Sequence, residues 1–490
     1  MKKVSIGIVA LLGLIIIGLV IAVSMVNLNK YKPQIEKAVK DNAGYEMKIN
    51  GKIGVSFSPV GISISNVTLS NPSIKNNQQF FKMQNLSVAV EVMPLLSKKV
   101  KVKYIVLNKL NLDIKKLKNG KFNFEVANKK ARVQKKSQES KAKEEKVKLP
   151  TVDIKEVRIK NANVTFEDLK AKTKAQIKNI NVAVDNIGFN PAKKMLQALS
   201  FDAKTKIEKI TFNQYNIKDV KVDINMKNAI VDMSNMKLTM YDSLVDAKAR
   251  LDLNKKIPFA NIELDIPKFK IQSFSKEYLK KDILSGIVKV HKKFTLSLGD
   301  LKTIKKTLKG TALIDGEGVG IKGFDLDKIL SKYNNAKKTN PADLGMSLAS
   351  GFAKGGNISG IFGTGQGGTT LLKKLHVKVD IAKGIVKLSD VAISTGKNRV
   401  AFKGKLDIVR QRFLDMQFGV MDAKNCAKFS QTIQGTFTKP KIKVDANSIK
   451  STVNMVSSLL SSFGVKTPKI AKKKEGKCKV FYNGVVKQPK

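Results

Sequence analysis

Side chains able to perform acid–base, nucleophilic or metal chemistry are few in this sequence and widely spaced. Its 490 residues include two histidines and two cysteines, which excludes a metal centre of clustered His and Cys and a disulfide-dense secreted module. His291 and His376 fall in separate strand-like segments, so a strand position is the stronger interpretation for each and an acid–base or metal role the weaker. Cys426 and Cys478 either pair in an oxidising compartment, closing a long loop and tying down the carboxy terminus, or remain unpaired.

The densest acidic group comprises Asp315, Glu317, Asp325 and Asp327. Paired carboxylates can perform hydrolysis. The glycines between these four residues do not follow the order of a calcium-binding loop, and we interpret the segment as a turn followed by the start of a helix.

A glycine-rich stretch over 354–370 contains the spacing G-x-G-x-x-G at Gly363, Gly365 and Gly368. No alternating strand closely precedes it, and Thr369 stands where a phosphate-binding loop needs a lysine. A long loop is therefore the stronger interpretation. The sequence predicts no catalytic residue, no cofactor and no metal site, and the protein is expected not to be an enzyme.

The charge balance is strongly basic, with 92 Lys and Arg against 39 Asp and Glu and a net charge of +53. Only six of the basic residues are arginines, and the chain has no tryptophan. Nucleic-acid binding relies on arginine and aromatic stacking as well as on charge, so nucleic acid is an unlikely partner. The lysines are dispersed along strands, which favours a solvated face over attraction to anionic membranes.

The amino terminus carries a long apolar segment. Val4 to Val26 contains no charged residue, and as a helix it would be roughly 34 Å long, enough to cross a bilayer. A cleaved signal peptide is the alternative, but the segment exceeds the usual length of a signal core. We predict a single-pass anchor over 1–27, with the rest of the chain outside the cytoplasm.

Alternating apolar and polar residues dominate the rest of the sequence. Such alternation is typical of strands with one wet face, and hence of antiparallel sheets. The fold class predicted is therefore mostly β with few short helices: a transmembrane helix followed by an elongated, curled, groove-like antiparallel sheet. One short helix is expected between Pro33 and Asn42, since Gly44 follows as a stop signal.

Composition also divides the chain into segments. A Lys/Glu/Gln/Ser run over 128–149 has almost nothing to bury and is predicted to be a flexible linker. The predicted organisation is an anchor over 1–27, a β region over 28–127, the linker over 128–149, a middle β region over 150–300, a carboxy-terminal region over 301–465 and a basic tail over 466–490.

Several motifs resemble the AsmA family in their order along the chain. After the apolar segment come a short helix, the letters NGKI at 50–53 and SPVGISISNVTLSNP at 58–72. Residues 310–326 resemble the family's G…DG…G-x-D-L element, and IQGTFTKP at 433–440 resembles its I-x-G-T-x-x-x-P close. The resemblance covers residues 1–127 and 300–445.

This resemblance implies an inner-membrane protein whose body lies in the periplasm of a Gram-negative bacterium and which supports outer-membrane biogenesis. Larger relatives in that family are thought to form long β-grooves that carry phospholipid between membranes. No catalytic residue of the family is known that could be carried over. The strongly basic surface departs from what the family leads us to expect.

An apolar groove has a physical purpose that does not depend on the resemblance. Moving an acyl chain of about 16 carbons into water costs on the order of 12 kcal/mol, so a lipid-transfer protein must supply a continuous apolar lining. The alternating strands would supply it, with phospholipid as the partner. The candidate lining residues are Leu86, Val88, Val90, Val92, Val377, Val379, Ile381, Leu414, Met416 and Phe418.

Two other functions remain open at this point. A closed sandwich filled by its own side chains shows the same alternation, and such a protein would be an envelope scaffold that acts through protein partners. A polyanion or lipopolysaccharide binder would depend on charge alone and need no apolar cavity.

Overall fold

The computed structural model describes residues 27–57, 60–74, 79–91, 101–125, 153–190, 192–323, 325–335, 368–444 and 479–489. These residues form 21 β-strands with a few short helices between them, which confirms the prediction of a mostly β chain. The chain divides into two compact units, residues 1–229 (unit 1) and 230–490 (unit 2). The six-part organisation expected from composition stays a prediction, and its linker over 128–149 lies outside the described residues.

Residues 1–26, which carry the predicted membrane anchor, also lie outside the described residues. Among the helices that the structure does describe, none is both long enough and apolar enough to cross a bilayer. The anchor therefore stays a prediction.

Unit 1 is a sheet of nine described strands preceded by a helix. Its elements are a 3-10 helix (Leu28–Tyr31), α1 (Lys32–Ala43), β1 (Glu46–Ile49), β2 (Ile53–Phe57), β3 (Val60–Ser70), β4 (Gln79–Val90), β5 (Lys101–Lys116), β6 (Asp153–Asp168), β7 (Thr173–Phe189), α2 (Met195–Ala198), β8 (Leu199–Phe212) and β9 (Tyr215–Lys227). β1 and β2 pair with opposite ends of β3, and from β3 the strands are neighbours in chain order as far as β9. The predicted helix is confirmed as α1, which has Pro33 in its first turn and ends at Gly44 in the left-handed conformation.

The pairing of β5 with β6 is parallel, so the prediction of a wholly antiparallel sheet is wrong at this place. The parallel register runs from Lys101 opposite Asp153 to Lys116 opposite Asp168. A parallel pair needs a long crossover, whereas an antiparallel pair needs only a short turn. Residues 117–152 supply that length.

Asparagine-based irregularities interrupt the regular alternation of unit 1. Asn66, Asn161 and Asn179 have positive φ angles of 53°, 53° and 52°, and Lys109 has one of 52°. They lie on β3, β6, β7 and β5, and each falls where the residue pairing between neighbouring strands is interrupted. Asparagine tolerates the left-handed region better than most residues. Between β6 and β7 the register also shifts there, and such a shift changes which residues face each side.

Unit 2 is an antiparallel sheet in its described part. Its elements are β10 (Ile230–Met240), β11 (Ser243–Asp252), β12 (Phe259–Lys270), α3 (Ile271–Glu277), β13 (Leu284–Ser297), α4 (Leu301–Thr307), β14 (Lys309–Lys322), α5 (Leu326–Asn335), β15 (Thr369–Leu372), β16 (Lys374–Ala382), β17 (Ile385–Ser394), β18 (Arg399–Asp407), β19 (Arg412–Met421), β20 (Ala427–Thr436) and β21 (Pro440–Val444). Successive strands pair with each other, except that β14 pairs with both β15 and β16.

The acidic group of the sequence is split between a strand and a helix. Asp325 caps α5, because its Oδ1 accepts a hydrogen bond of 2.9 Å from the backbone N–H of Lys328, and Asp327 lies in the first turn. Asp315 and Glu317 lie on β14, so the interpretation as a turn is wrong for them. The glycines that suggested a turn allow close packing there: a Cβ on Gly316 would lie 2.6 Å from Val288 Cγ1.

Candidate functional site

One face of the unit 1 sheet carries rows of apolar side chains that continue from strand to strand. Residues directly opposite each other in neighbouring strands point to the same face. Three adjacent rows of described residues contain no charged side chain, and together they define the unit 1 apolar face. The rows are Ile49, Val67, Met83, Leu110, Ala162, Ile180, Ile207 and Val220; Ile53, Ile64, Leu86, Leu107, Ile159, Val182, Thr205 and Val222; and Val55, Ile62, Val88, Ile105, Val157, Val184, Ala203 and Ile224.

Accessibility of the unit 1 apolar face increases from its first row to its third. Val67 and Met83 in the first row are buried. Val88 and Ile105 in the third row are half-buried, and Ile62 is 48% exposed. The third row therefore offers apolar surface that the described residues leave open to contact.

The opposite face of unit 1 is polar. Asn163 Nδ2 donates a hydrogen bond of 3.0 Å to Asn111 Oδ1 on the neighbouring strand. Thr165 Oγ1 donates one of 2.9 Å to Asp113 Oδ1. Since the two faces differ this clearly, contact with an apolar ligand would be confined to one of them.

Unit 2 also has an apolar face, which runs across its described strands from β10 to β19. A packed row on this face is Leu238, Val245, Ile266, Val290, Ile314, Val377, Val391, Phe402 and Phe418. The next two rows are Met236, Ala247, Leu264, Lys292, Ala312, Val379 and Leu388, and then Met233, Ala249, Ile262, Phe294, Gly310, Ile381, Val386, Leu406 and Phe413. These three rows define the unit 2 apolar face.

The unit 2 apolar face has a filled part and a more accessible part. Val245 and Phe418 in the packed row are both 0% exposed, and α3 and α5 contribute Ile271 and Leu330 to the same cluster. In the third row, by contrast, Ile262 is only half-buried. The buried members of these rows therefore work as core, while the half-buried members leave apolar surface available.

The described candidates for the lining fall on both kinds of surface. Three of them on β4 and three on β16 are half-buried apolar side chains, whereas Met416 and Phe418 are 1% and 0% exposed and belong to the core. Val92 lies outside the described residues. The half-buried candidates are Leu86, Val88, Val90, Val377, Val379 and Ile381.

A β-bulge separates Leu414 from the two residues with which the sequence grouped it. Asp415 has a positive φ of 52°, and the register with β18 and β20 shifts at this point. As a result Phe413 pairs with Leu406 on the apolar face, while Leu414 lies opposite Lys405. Strict alternation could not show this, because the extra residue of a bulge changes the side to which its neighbours point.

Lys292 is the one charged residue in the three unit 2 rows. It lies between Leu264 on β12 and Ala312 on β14, in the same row as Val379. The side chain is half-buried, and burial lowers the pKa of Lys292. Within the described ranges no residue forms a hydrogen bond or an ion pair with its ammonium group.

The polar face of unit 2 carries ion pairs between strands. Arg250 donates to Asp232 at 2.7 Å, and Lys293 lies 3.9 Å from Glu263. A depression of about 280 Å³ is lined by these four residues together with apolar ones, among them Phe294. Its lining is therefore partly charged and partly apolar.

A buried polar cluster on β14, β16 and β17 holds the segment 479–489, which we call the C-terminal segment. His376, 7% exposed, lies between two carboxylates, with its Nδ1 2.7 Å from Asp315 Oδ2 and its Nε2 3.6 Å from Asp390 Oδ2. Tyr482 donates a hydrogen bond of 2.6 Å to Asp390 Oδ1. Burial would raise the pKa of Asp315, but hydrogen bonds from His376 and Lys374 outweigh it and the pKa is lowered.

The side chains of this cluster attach the C-terminal segment to the sheet. Burial and the hydrogen bond to Asp390 raise the pKa of Tyr482, so its phenol remains a hydrogen-bond donor and a poor nucleophile. Arg399 Nη1 donates to the backbone oxygen of Val486 at 3.1 Å, and Val486 is packed against Ala392 and Ala401. Apart from the scarcity of histidine, no pattern in the sequence predicted this arrangement.

Cys426 is disulfide-bonded, and its backbone forms an antiparallel bridge with Val480 in the C-terminal segment. Cys478 is the other cysteine of the sequence and lies outside the described residues, so its pairing with Cys426 stays a prediction. Within the described residues, no group of three His, Cys, Asp or Glu side chains is placed to hold a metal ion.

A protein-family model matches most of the chain. The model of the AsmA family matches the chain twice, over residues 1–197 and 189–391. No curated protein matches the sequence. The two matched ranges together include most of the strands on both apolar faces.

Proposed function

This chain belongs to the AsmA family, and from that premise we propose that it holds phospholipid acyl chains on its apolar faces in the bacterial envelope and so supports outer-membrane biogenesis. Membership of the family indicates an envelope-related role. The observation that carries the lipid part is the run of half-buried apolar rows across neighbouring strands, in which Val88 and Ile105 in unit 1 and Val379 and Ile381 in unit 2 lie open to contact.

The energetics favour a lipid ligand on these rows. An acyl chain leaving a bilayer needs apolar surface along its whole length, since each CH₂ exposed to water costs about 0.8 kcal/mol. Neighbouring strands lie about 4.8 Å apart, so a row that crosses five strands offers a path comparable in length to a lipid tail. The polar face would keep the same sheet soluble.

The proposal extends to location. We propose that residues 4–26 anchor the chain in the inner membrane and that the rest lies in the periplasm. A reporter that fluoresces only in the cytoplasm, fused after Lys490, is expected to stay dark, and externally added protease is expected to digest the body in spheroplasts. A bright reporter together with protection from protease would contradict this placement.

A direct test compares two adjacent residues of β16 that point to opposite faces. Val379→Glu places a carboxylate in an apolar row, and we expect co-purifying phospholipid to fall at least about tenfold, because an acyl chain lying there would have to displace the water around that carboxylate. Lys378→Glu changes the exposed neighbour on the polar face and is expected to keep the lipid. The measurement is lipid mass spectrometry after mild-detergent purification of the full chain.

The outcomes separate the functions. Lipid absent from the wild-type chain, or unchanged in Val379→Glu, would overturn the proposal. The first result would favour an envelope scaffold acting through protein partners, for which the completely buried Phe418 and Val245 are the supporting observation. Binding to a polyanion has less support, because acidic partners on the polar face balance Arg250 and Lys293.

A further inference from the structure

Lys292 differs from its two neighbours on β13 in the kind of residues that surround its side chain. On β13, His291 lies 3.7 Å from Asp265 and Lys293 lies 3.9 Å from Glu263, so its two neighbours have carboxylate partners on the polar face. Lys292 points to the other face, between the apolar side chains of Val290 and Phe294. A lysine is seldom buried without a partner.

Small residues lie next to Lys292 on β14. Ala312 is directly opposite, and Gly310 lies in the adjacent row opposite Phe294. The next large side chains along these rows are Val379 and Ile381 on β16. No large side chain of β14 therefore lies directly opposite Lys292.

Charge selects the kind of group that would bind there. The three rows of the unit 2 apolar face contain no acidic residue among the described positions. An anionic headgroup would find a cation at Lys292, whereas a positively charged headgroup amine would find no carboxylate. Burial lowers the pKa of Lys292 because it removes water from the charged form, and a bound anion would favour that form again.

We propose that Lys292 binds the phosphate of a lipid with a net negative headgroup while the acyl chains lie along the apolar rows next to it. This inference rests on the proposed function and adds a headgroup preference to it. The ammonium would form a charge-assisted hydrogen bond to a phosphate oxygen, and that bond would be strong because the surroundings are apolar.

The test measures headgroup composition separately from total lipid. Full-length chain in mild detergent is incubated with vesicles of equal parts phosphatidylglycerol and phosphatidylethanolamine, re-isolated, and its lipid analysed by mass spectrometry. We expect the wild-type chain to be enriched in phosphatidylglycerol by about tenfold, because both lipids offer a phosphate to Lys292 but only phosphatidylethanolamine brings an ammonium group that Lys292 repels. Lys292→Met keeps the length of the side chain without its charge and is expected to lose the enrichment while total lipid stays the same.

Two further variants control for charge and folding. Lys292→Arg keeps the cation and is expected to retain the enrichment. Lys293→Met removes the neighbouring charge from the polar face and is expected to behave like the wild type. Melting temperature measured for each variant checks that the sheet is intact, and Lys292→Met is expected not to lower it, because no charge is left buried.

Each outcome decides a different statement. Equal headgroup composition in wild type and Lys292→Met, with lipid present in both, would overturn the role of Lys292 and leave the proposed function standing. No lipid in any variant would overturn the proposed function and this inference with it. Loss of enrichment in Lys293→Met as well would show that general surface charge, and not the buried lysine, selects the headgroup.

Discussion

The two units use the same strand alternation to produce different apolar faces. In unit 1 the rows contain no charge, and the fully buried cluster consists of Val67, Met83, Leu110 and Ala162. Among the described residues of unit 2, the larger buried cluster has 16 members and draws on helices as well as strands, and one row of the unit 2 apolar face carries Lys292. We infer that unit 1 offers uniform apolar surface, whereas unit 2 combines a filled core with a place for one negative charge.

The largest difference in stability between the two units is expected when a buried core side chain of unit 2 is truncated. Phe418→Ala removes a completely buried ring and is expected to cost about 3 to 5 kcal/mol of unfolding free energy in unit 2. Leu86→Ala in unit 1 removes a half-buried side chain, and we expect roughly half that cost or less. Hydrogen exchange followed peptide by peptide reports each unit separately. Equal losses in the two units would contradict the difference in packing.

A smaller effect is expected where the C-terminal segment is attached. Tyr482→Phe removes the hydrogen bond to Asp390 and leaves that carboxylate without one of its donors. We expect a local loss of about 1 to 2 kcal/mol, seen as faster exchange in 479–489 and on β17, with no change in unit 1 peptides. Lys487→Ala alters the same segment away from the cluster and serves as the control.

The smallest expected effect is a pH dependence confined to unit 2. The pKa of Asp315 is lowered from its ordinary value of 3.8, so its contribution to stability is present above about pH 4 and is lost as the pH falls through the lowered folded-state pKa. In Asp315→Asn this acid-side loss should be absent from β14 and β16 peptides. An unchanged acid profile in that variant would show that other carboxylates are responsible.

Much of the fold can be predicted from the alternation of apolar and polar residues and from the proline and glycine at helix ends. The strands through Leu86 and Val379 and the helix between Pro33 and Gly44 could be predicted, because an apolar residue at every second position, or a proline and a glycine at the two ends, has a direct structural meaning. The family resemblance found from short motifs is confirmed by the match to the AsmA model.

The remaining features depend on long-range pairing that local patterns do not encode. The parallel register of β5 and β6 depends on which strands meet, and the separation of Leu414 from Met416 depends on a bulge at Asp415. The sequence placed His376 on a strand but could not place Asp315 and Asp390 on either side of it. The sequence did not distinguish Lys292 from the other lysines of a solvated face, and the strand register shows that it lies in an apolar row.

The parallel pair also has a consequence for the order in which the chain folds. In unit 2 each described strand from β17 to β21 meets its predecessor across a short turn, so those contacts form between residues close in sequence. Pairing β5 with β6 requires closing the loop between Lys116 and Asp153, and the entropy lost in closing a loop rises with its length. Contacts between distant residues form slowly. The pairing of β5 with β6 is therefore expected to be the late, rate-limiting step in the folding of unit 1. The local hairpins on either side are expected to form before it.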